Sequence, residues 1–330
     1  MNSPINWPAF VEIIRSNKRF LLTSHIRPDC DALGSELGMC GVLEALGKEA
    51  TIVNGHATPP NLRFIDQRQK LKTLGVDVQA NELDGFDVVI ILDTSAWAQL
   101  GSMAEVVKAS RARKIIVDHH LSEDDLGAEL FKNTRAEAAG RLVLEAAEQL
   151  GVALTPEIAK PLFAAIATDT GWFRFGSTTS YTLACAGKLI DAGANPAEIY
   201  KNLYEQETMA RLKLRGRILA RTESELDGRL VYTSCLTSDF EATGALPSDT
   251  EDVINLTLAV AGTQVAVILV EQATGGFKIS FRSRTPQVDC STLAETFGGG
   301  GHKAAAGAFV SEGWPEAQQK VLDVVRRAMR

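Results

Sequence analysis

The apolar run Lys114–Val117 ends directly in Asp118-His119-His120, and two of the chain's five histidines stand side by side there. A buried strand that releases an acid and two imidazoles from its carboxyl end is where an α/β sheet places its chemistry. Other runs behave alike. Phe20–Ser24 leads into His25-Ile26-Arg27-Pro28-Asp29-Cys30-Asp31, and Asp87–Leu92 is closed by Asp93-Thr94-Ser95. Glu49–Val53 supplies a further strand. Helical segments alternate with these runs: Trp7–Ser16, Asp31–Leu46 with an apolar stripe of Leu33, Leu37, Val42, Leu43 and Leu46, Glu137–Leu150, and Pro156–Thr168. Pro156 suits a first helical turn, and the last helix runs into Asp169-Thr170-Gly171-Trp172-Phe173. Short apolar runs alternating with helices indicate βαβ units and a mainly parallel sheet flanked by helices.

The pattern then changes. Ser180–Arg215 reads as helical, broken at Ala194-Asn195-Pro196. Beyond it, Arg217–Glu225, Arg229–Leu236, Gln264–Glu271 and Phe277–Arg284 read as strands, with hairpin turns at Asp227-Gly228 and Gly275-Gly276. Helices at Asp249–Val260 and Trp314–Met329 complete a smaller α+β domain. The expected organisation is an α/β domain over residues 1–190, a helical linker over 191–215 and a second domain over 216–330.

Composition narrows the function classes. The net charge of −7 gives no general attraction for nucleic acid. A nucleic-acid substrate would have to be short and held by a local basic pocket and metal ions, not long DNA. Five cysteines without CxxC pairing indicate a reducing compartment and no structural zinc. Met1–Phe10 has no signal pattern and no apolar run reaches spanning length, so a cytoplasmic protein without membrane partners is expected.

The chemistry-bearing groups gather at the strand and helix ends. Asp31 alone reads as a helix cap and His25 alone as structural, but His25, Asp29 and Asp31 fall on one strand-to-helix turn bent by Pro28. Asp93 ends an apolar strand, where an unpaired carboxylate is costly; capping of the next helix is the alternative. Asp169 opposes the dipole at a helix carboxyl end, for which a nearby cation compensates. His25, Asp29, Asp31, Asp93, His119 and Asp169 make a two-His, four-carboxylate set suited to Mn²⁺-type ions, with Mg²⁺ as the alternative. So many carboxylates argue for two metals about 3.5–4 Å apart, a pair that clamps an in-line phosphoryl displacement. Far downstream, Phe297-Gly298-Gly299-Gly300-Gly301-His302-Lys303 reads as a backbone-exposing loop opening a helix, able to hold phosphate. Ser280-Phe281-Arg282-Ser283-Arg284 on a nearby strand adds cationic and hydroxyl donors.

In order, His25-x-x-x-Asp29-x-Asp31, Asp93-Thr94-Ser95, Asp118-His119-His120 and Thr168-Asp169-Thr170-Gly171 resemble the four motifs of the DHH phosphoesterases. Gly299–Gly307 resembles the glycine-rich signature of the DHHA1 domain, so the resemblance covers essentially the whole chain. It implies that His25, Asp29 and Asp93 hold one Mn²⁺ and that Asp31, Asp93, His119 and Asp169 hold a second, with Asp93 bridging. It implies catalytic roles for His120 at the substrate phosphate, for Asp118 in orienting the imidazoles, and for Arg282. Substrate binding would fall to Arg282, Ser283, Arg284, Gly299, Gly300, Gly301 and His302, across an inter-domain cleft. Two departures stand out: Ala96-Trp97-Ala98-Gln99 occupies a stretch where relatives often carry a basic residue, and Cys30 sits between two ligand carboxylates, as small filler or as a redox-sensitive thiolate. Arg174 is open between substrate contact and simple exposure.

The layout is similar to the branch that hydrolyses short oligoribonucleotides (nanoRNases) and 3′-phosphoadenosine 5′-phosphate. The expected reaction is in-line attack on phosphorus by a metal-bridging hydroxide. A phosphodiesterase for linear or cyclic dinucleotides (pApA or c-di-AMP type) is the enzymatic alternative, and a nucleotide-sensing binding protein the non-enzymatic one. A single-strand DNA exonuclease is disfavoured because no further binding domain follows residue 330, and a manganese pyrophosphatase because it would lack the Gly299–Gly307 segment. Partners are then short RNA or small nucleotides, with a homodimer left open.

Overall fold

Residues 5–121 and 124–330 are described by a computed structural model, which divides into two units between Gln206 and Glu207. In the first unit, helix α1 (Trp7–Ser16) precedes β1 (Arg19–Thr23), α2 (Cys30–Ala45), β2 (Glu49–Asn54) and the short β3 (Leu71–Thr73). Then come β4 (Val88–Leu92), α3 (Trp97–Leu100), α4 (Met103–Ala109), β5 (Arg113–Asp118) and β6 (Glu129–Lys132). Helices α5 (Ala139–Leu150), α6 (Pro156–Asp169), α7 (Ser180–Asp191) and α8 (Pro196–Tyr204) close the unit. The sheet runs β3-β2-β1-β4-β5-β6, and every pairing is parallel. The short strands β3 and β6 carry no long apolar run and are additions to the sequence reading.

An all-parallel sheet needs cover on both faces. Alternation along each run divides it between them: Phe20, Leu22, Ile90 and Val117 pack towards α1, α2, α5 and α6, whereas Leu21, Val89, Ile91 and Ile116 pack towards α3 and α4. Strand order reverses at β1 and β4, so the crevice beyond their carboxyl ends is the place where such sheets take ligands. Helices α2 and α6 run antiparallel in close contact. A Cβ on Gly34 would stand 2.4 Å from Pro161 O, and one on Gly38 2.3 Å from Leu162 Cδ2. That contact lays the start of α2, with Asp29 and Asp31, beside the end of α6, with Asp169.

The break expected at Ala194-Asn195-Pro196 is a helix start: Asn195 Oδ1 accepts from Glu198 N and Pro196 opens α8. A second break separates α8 from α9 (Met209–Ala220), where Thr208 Oγ1 accepts from Arg211 N. The segment 191–215 thus holds α8 and the first half of α9, with the boundary between units inside it.

The second unit continues with β7 (Glu223–Glu225), β8 (Leu230–Cys235), α10 (Thr237–Thr243), α11 (Val253–Leu258), β9 (Val265–Glu271) and β10 (Phe277–Ser283). It ends with α12 (Cys290–Glu295), β11 (Gly300–His302), β12 (Ala305–Val310) and α13 (Glu316–Ala328). Its sheet runs β11-β12-β10-β9-β8-β7, mixed because only β8 and β9 pair in parallel. One face buries Val267, Ile279 and Phe281 against Leu293 of α12 and Val321 and Val325 of α13. The other is partly covered, where Ala266 and Ile268 meet Leu214 and Ile218 of α9 and Val253 and Ile254 of α11.

Three expectations are corrected here. Arg217–Glu225 is not one strand: residues up to Ala220 are helical, because Ala210, Leu214 and Ile218 recur every four residues and bury one face of α9. The helix expected over Asp249–Val260 is interrupted at Asp252, whose φ of +66° separates a 3₁₀ turn at Pro247–Thr250 from α11. The glycine run does not open a helix. Gly300–His302 pairs antiparallel with Ala305–Val310, in register Gly300↔Gly307 and His302↔Ala305. Among the described residues no helix is long and apolar enough to cross a membrane.

Candidate metal centre

Three strand ends and two helix ends of the first unit meet in the switch-point crevice. His25 follows β1, Asp93 follows β4 and His119 follows β5, while Asp29 and Asp31 start α2 and Asp169 ends α6. Asp93 lies between the histidines: its Oδ2 is 3.5 Å from His25 Nε2 and its Oδ1 is 3.3 Å from His119 Nε2. His25 Nε2 also stands 3.8 Å from Asp29 Oδ1, and His119 Nε2 is 3.6 Å from Asp31 Oδ2 and 3.7 Å from Asp169 Oδ2. The ligand atoms form two triplets, His25-Asp29-Asp93 and Asp31-His119-Asp169, each within 4.8 Å of one another; a third set joins Asp93, His119 and His120.

The histidines are aimed from behind. His25 Nδ1 lies 3.0 Å from Ile26 O and His119 Nδ1 3.1 Å from Ala136 O, so each ring can donate to a carbonyl and turn Nε2 into the cluster. Metal-binding histidines are held in this way. His120 is different. Its Nδ1 lies 2.9 Å from Asp118 Oδ1 and 3.6 Å from Asp93 Oδ1, and its ring is half-exposed. Asp118 is fully buried. Its Oδ1 also accepts from His119 N and His120 N, and its Oδ2 accepts from Ser95 Oγ at 2.5 Å.

Carboxylates packed this closely repel one another. Burial and the charge of Asp93 push Asp31 well above the usual carboxylate range, with His119 opposing. Burial raises Asp169 to about 6, again against His119. Asp93 is held low in spite of its burial because His119 and His25 bond to it. Burial would lower both histidines, but hydrogen bonding to Asp93 and the surrounding carboxylates lift His25 to about 9 and His119 to about 10. Burial likewise opposes the low value of Asp118, which His120 and Ser95 hold at about 2.

Two signs mark the cluster as a cation site. Asp93 Oδ1 is buried and, among the described residues, has no hydrogen-bond partner of good geometry. Asp93 also adopts φ +60°, a left-handed conformation that costs a non-glycine residue about 1–2 kcal/mol. A buried carboxylate held in a left-handed backbone between two imidazoles, with one oxygen lacking a well-directed hydrogen bond, fits a divalent cation better than any structural role.

Several groups here carried no signal in the sequence. Lys132, nearly buried, sits opposite Asp118 in the β5–β6 register; its Nζ donates to Ser95 Oγ at 2.9 Å and lies 3.5 Å from Asp118 Oδ2. Glu36, fully buried on α2, accepts from Asn54 Nδ2 at 2.8 Å, and Asn54 Oδ1 accepts from Ser24 N next to His25. Burial lifts Glu36 to about 7, with Asn54 and Ser24 opposing. Cys30 is buried and its thiol is pushed up to about 12, chiefly by that burial, so it stays protonated filler. Arg174 is exposed and donates Nε to Gly171 O at 2.7 Å.

In the second unit, the register places Arg282 of β10, Ala305 of β12 and His302 of β11 in one row across three strands. Ser280, Gly307 and Gly300 form the neighbouring row on the same face. The floor between Arg282 and His302 is therefore made of glycine and alanine. Arg284 is exposed beyond the end of β10. Ser283 points to the opposite, buried face and its hydroxyl donates to Thr285 O, so the structure does not bring it to this row. The glycines have mainly structural causes: a Cβ on Gly299 would stand 2.2 Å from Gly307 O, Gly298 and Gly301 have φ +70° and +149°, and Gly300 faces open space on the exposed side.

The DHH family N-terminal domain matches residues 19–166 and the DHHA1 domain matches residues 230–330. The bifunctional oligoribonuclease and PAP phosphatase NrnA of Thermus thermophilus is 32% identical over 310 residues, spanning 93% of this chain and 89% of that protein. The protein of the same name from Bacillus subtilis is 29% identical over 320 residues, spanning 95% and 96%. This chain belongs to the DHH family. DHH-family phosphoesterases act on phosphoester bonds, and the chain is accordingly a hydrolase of such bonds. Its fold is also that of an exopolyphosphatase-related protein from Bacteroides fragilis, with a TM-score of 0.82 at 24% identity, covering 100% of this chain and 97% of that one.

Proposed function

We propose that the protein hydrolyses short oligoribonucleotides and 3′-phosphoadenosine 5′-phosphate, using two Mn²⁺ ions held at the crevice of the first unit. The observation that carries this reading is the pair of ligand triplets with Asp93 between them. Nitrogen and carboxylate donors without thiolate suit Mn²⁺, with Mg²⁺ as a substitute. His25, Asp29 and Asp93 hold one ion; Asp31, His119 and Asp169, with Asp93, hold the other. When bound, the cations supply a nucleophile ionised near neutral pH and neutralise charge at phosphorus.

The chain's own groups do the rest. The carbonyl partners of His25 and His119 turn each Nε2 towards the ions. His120, its Nδ1 held by Asp118, turns Nε2 to a phosphoryl oxygen, and Ser95 and Lys132 fix Asp118 in turn. Arg282, Arg284 and His302 supply donors for the nucleotide, and the edge strand β11 offers unpaired N–H groups to phosphate. Ser283 has no part, since its hydroxyl is engaged in a turn. Short substrates suit a chain whose net charge of −7 repels long polyanions. The names of the two NrnA relatives support this substrate class.

The test is Mn²⁺-supplemented turnover across an RNA ladder, 3′-phosphoadenosine 5′-phosphate, and linear and cyclic dinucleotides. Turnover concentrated on the shortest RNAs and the adenosine bisphosphate is expected. Turnover of cyclic dinucleotides alone would overturn the substrate assignment, and none at all would overturn the reaction.

A further inference from the structure

Directly after Asp169 the backbone makes a left-handed turn of three residues: Gly171 at φ +56°, Trp172 at +60° and Phe173 at +62°. Two consecutive aromatic residues in this region are uncommon, and the packing around them must over-determine it. The turn carries the Trp172 ring to α8, where it meets Tyr200 edge-on (centroids 5.0 Å apart, 70°) and Tyr204 (5.8 Å, 88°). The two tyrosines lie 4.9 Å apart, one helical turn from each other. Phe163 of α6 backs Trp172 at 6.0 Å. Trp172 is half-buried, yet Tyr200 is 38% and Tyr204 46% exposed.

Large aromatic rings left this exposed, braced edge-on by a half-buried partner and tilted by 48° to each other, keep apolar ring surface outside the core. Its setting is that of the candidate centre. Asp169 is three residues before Trp172, and Arg174 is anchored on the same turn through Gly171 O with no carboxylate partner among the described residues. The phenol of Tyr204 is pushed up by its burial and by Cys30, the residue between Asp29 and Asp31, with Arg174 opposing. A fixed, exposed aromatic ring beside a cation is the chemistry that receives a nucleobase and its adjoining phosphate, and such stacking tolerates any base.

We propose that Tyr200 and Tyr204, held by Trp172 and flanked by Arg174, form a stacking subsite for a nucleobase of the strand cleaved at the Asp93 cluster. The inference rests on the nucleotide-hydrolase reading and adds that the first unit itself selects base-bearing substrates.

The test compares an RNA dinucleotide with the same molecule lacking one base, using the full chain with Mn²⁺. The wild-type protein should prefer the base-bearing substrate in kcat/KM by about tenfold. Tyr204→Phe keeps the ring and the preference; Tyr200→Leu/Tyr204→Leu collapses it, with thermal melting confirming the fold. Retention of the wild-type ratio in the double leucine variant overturns the subsite. Fluorescence of a dinucleotide containing 2-aminopurine, titrated in EDTA, reads stacking without turnover. Quenching by the wild-type protein that the double variant loses supports the subsite even if no substrate is hydrolysed, in which case the hydrolase reading alone has failed. Absence of quenching by the wild-type protein, or quenching unchanged in the variant, overturns it.

Discussion

At the carboxyl edge of the first sheet, Asp31 and Asp93 are each 2% exposed and Asp118 is wholly buried, whereas on the second sheet Arg282 is half-buried and His302 exposed. Both regions gather charge, under opposite conditions. Buried carboxylates cannot be screened by water, so each must be answered by a proton, a hydrogen bond or a cation. Charges on an open face have no such obligation, and their loss weakens a contact without disturbing the fold. The first region is thus committed to its ligands by folding, and the second can be retuned one residue at a time.

The sharpest way to break this contrast is Asp93→Ala. It should lower Mn²⁺-dependent hydrolysis by about 10³-fold or more, since one triplet loses its buried carboxylate and His119 of the other loses the carboxylate beside it; residual turnover near wild type in a phosphate-release assay would refute the bridging role. Mn²⁺ at about 100 times its Kd should stabilise the chain by about 2.7 kcal/mol. Hydrogen exchange should place that protection around β1, β4 and β5, and leave β8–β10 unchanged. Arg282→Ala should cost about 2 kcal/mol, read as a roughly thirtyfold rise in KM for a short RNA, with Mn²⁺ binding by calorimetry unaltered.

One carboxylate of the second unit reverses the rule of exposed charge. Asp239 is buried, accepts from Arg217 Nε and Leu236 N at 2.7 and 2.9 Å, and pairs with Arg221. Burial opposes, but the two guanidiniums hold its carboxyl well below the usual range. A carboxyl depressed on folding adds stability above the unfolded value of about 4, and this is lost as pH falls below that value. Asp239→Asn should therefore cost about 1–2 kcal/mol at pH 7, tempered by the exposure of both arginines. Urea melts of the variant should show a smaller loss of stability on acidification than the wild type. The smallest effect belongs to Gly300→Ala, within about 0.5 kcal/mol because its Cβ meets nothing, against a clear loss for Gly299→Ala, whose Cβ would strike Gly307 O; thermal melts decide it.

The same contrast governs what could be read from the sequence. Buried parallel strands are continuous apolar runs, so β1, β4 and β5 and the polar residues closing them were legible, as was the change from parallel βαβ units to a domain with a mixed sheet. The spacing between those strand ends was not, because it depends on strand order and on the α2–α6 contact. Helix α9 was obscured by the arginines that flank its narrow apolar face, and β11 by glycines, which have no side-chain period to reveal. Lys132 and the Arg282–His302 row are matters of pairing register, which no single segment encodes.

Asp31 serves two elements at once. Helix α5 begins at Ala138 without a side-chain cap of its own, and Asp31 supplies one from 108 residues away, accepting from Ala139 N at 2.7 Å and Gly140 N at 2.9 Å. The oxygen that receives Ala139 N also faces His119, so any ion that claims it draws on the fastening of a remote helix. An ion bound at that oxygen would thus be coupled to how firmly residues 139–150 are tied, through a carboxylate that already fastens their first turn.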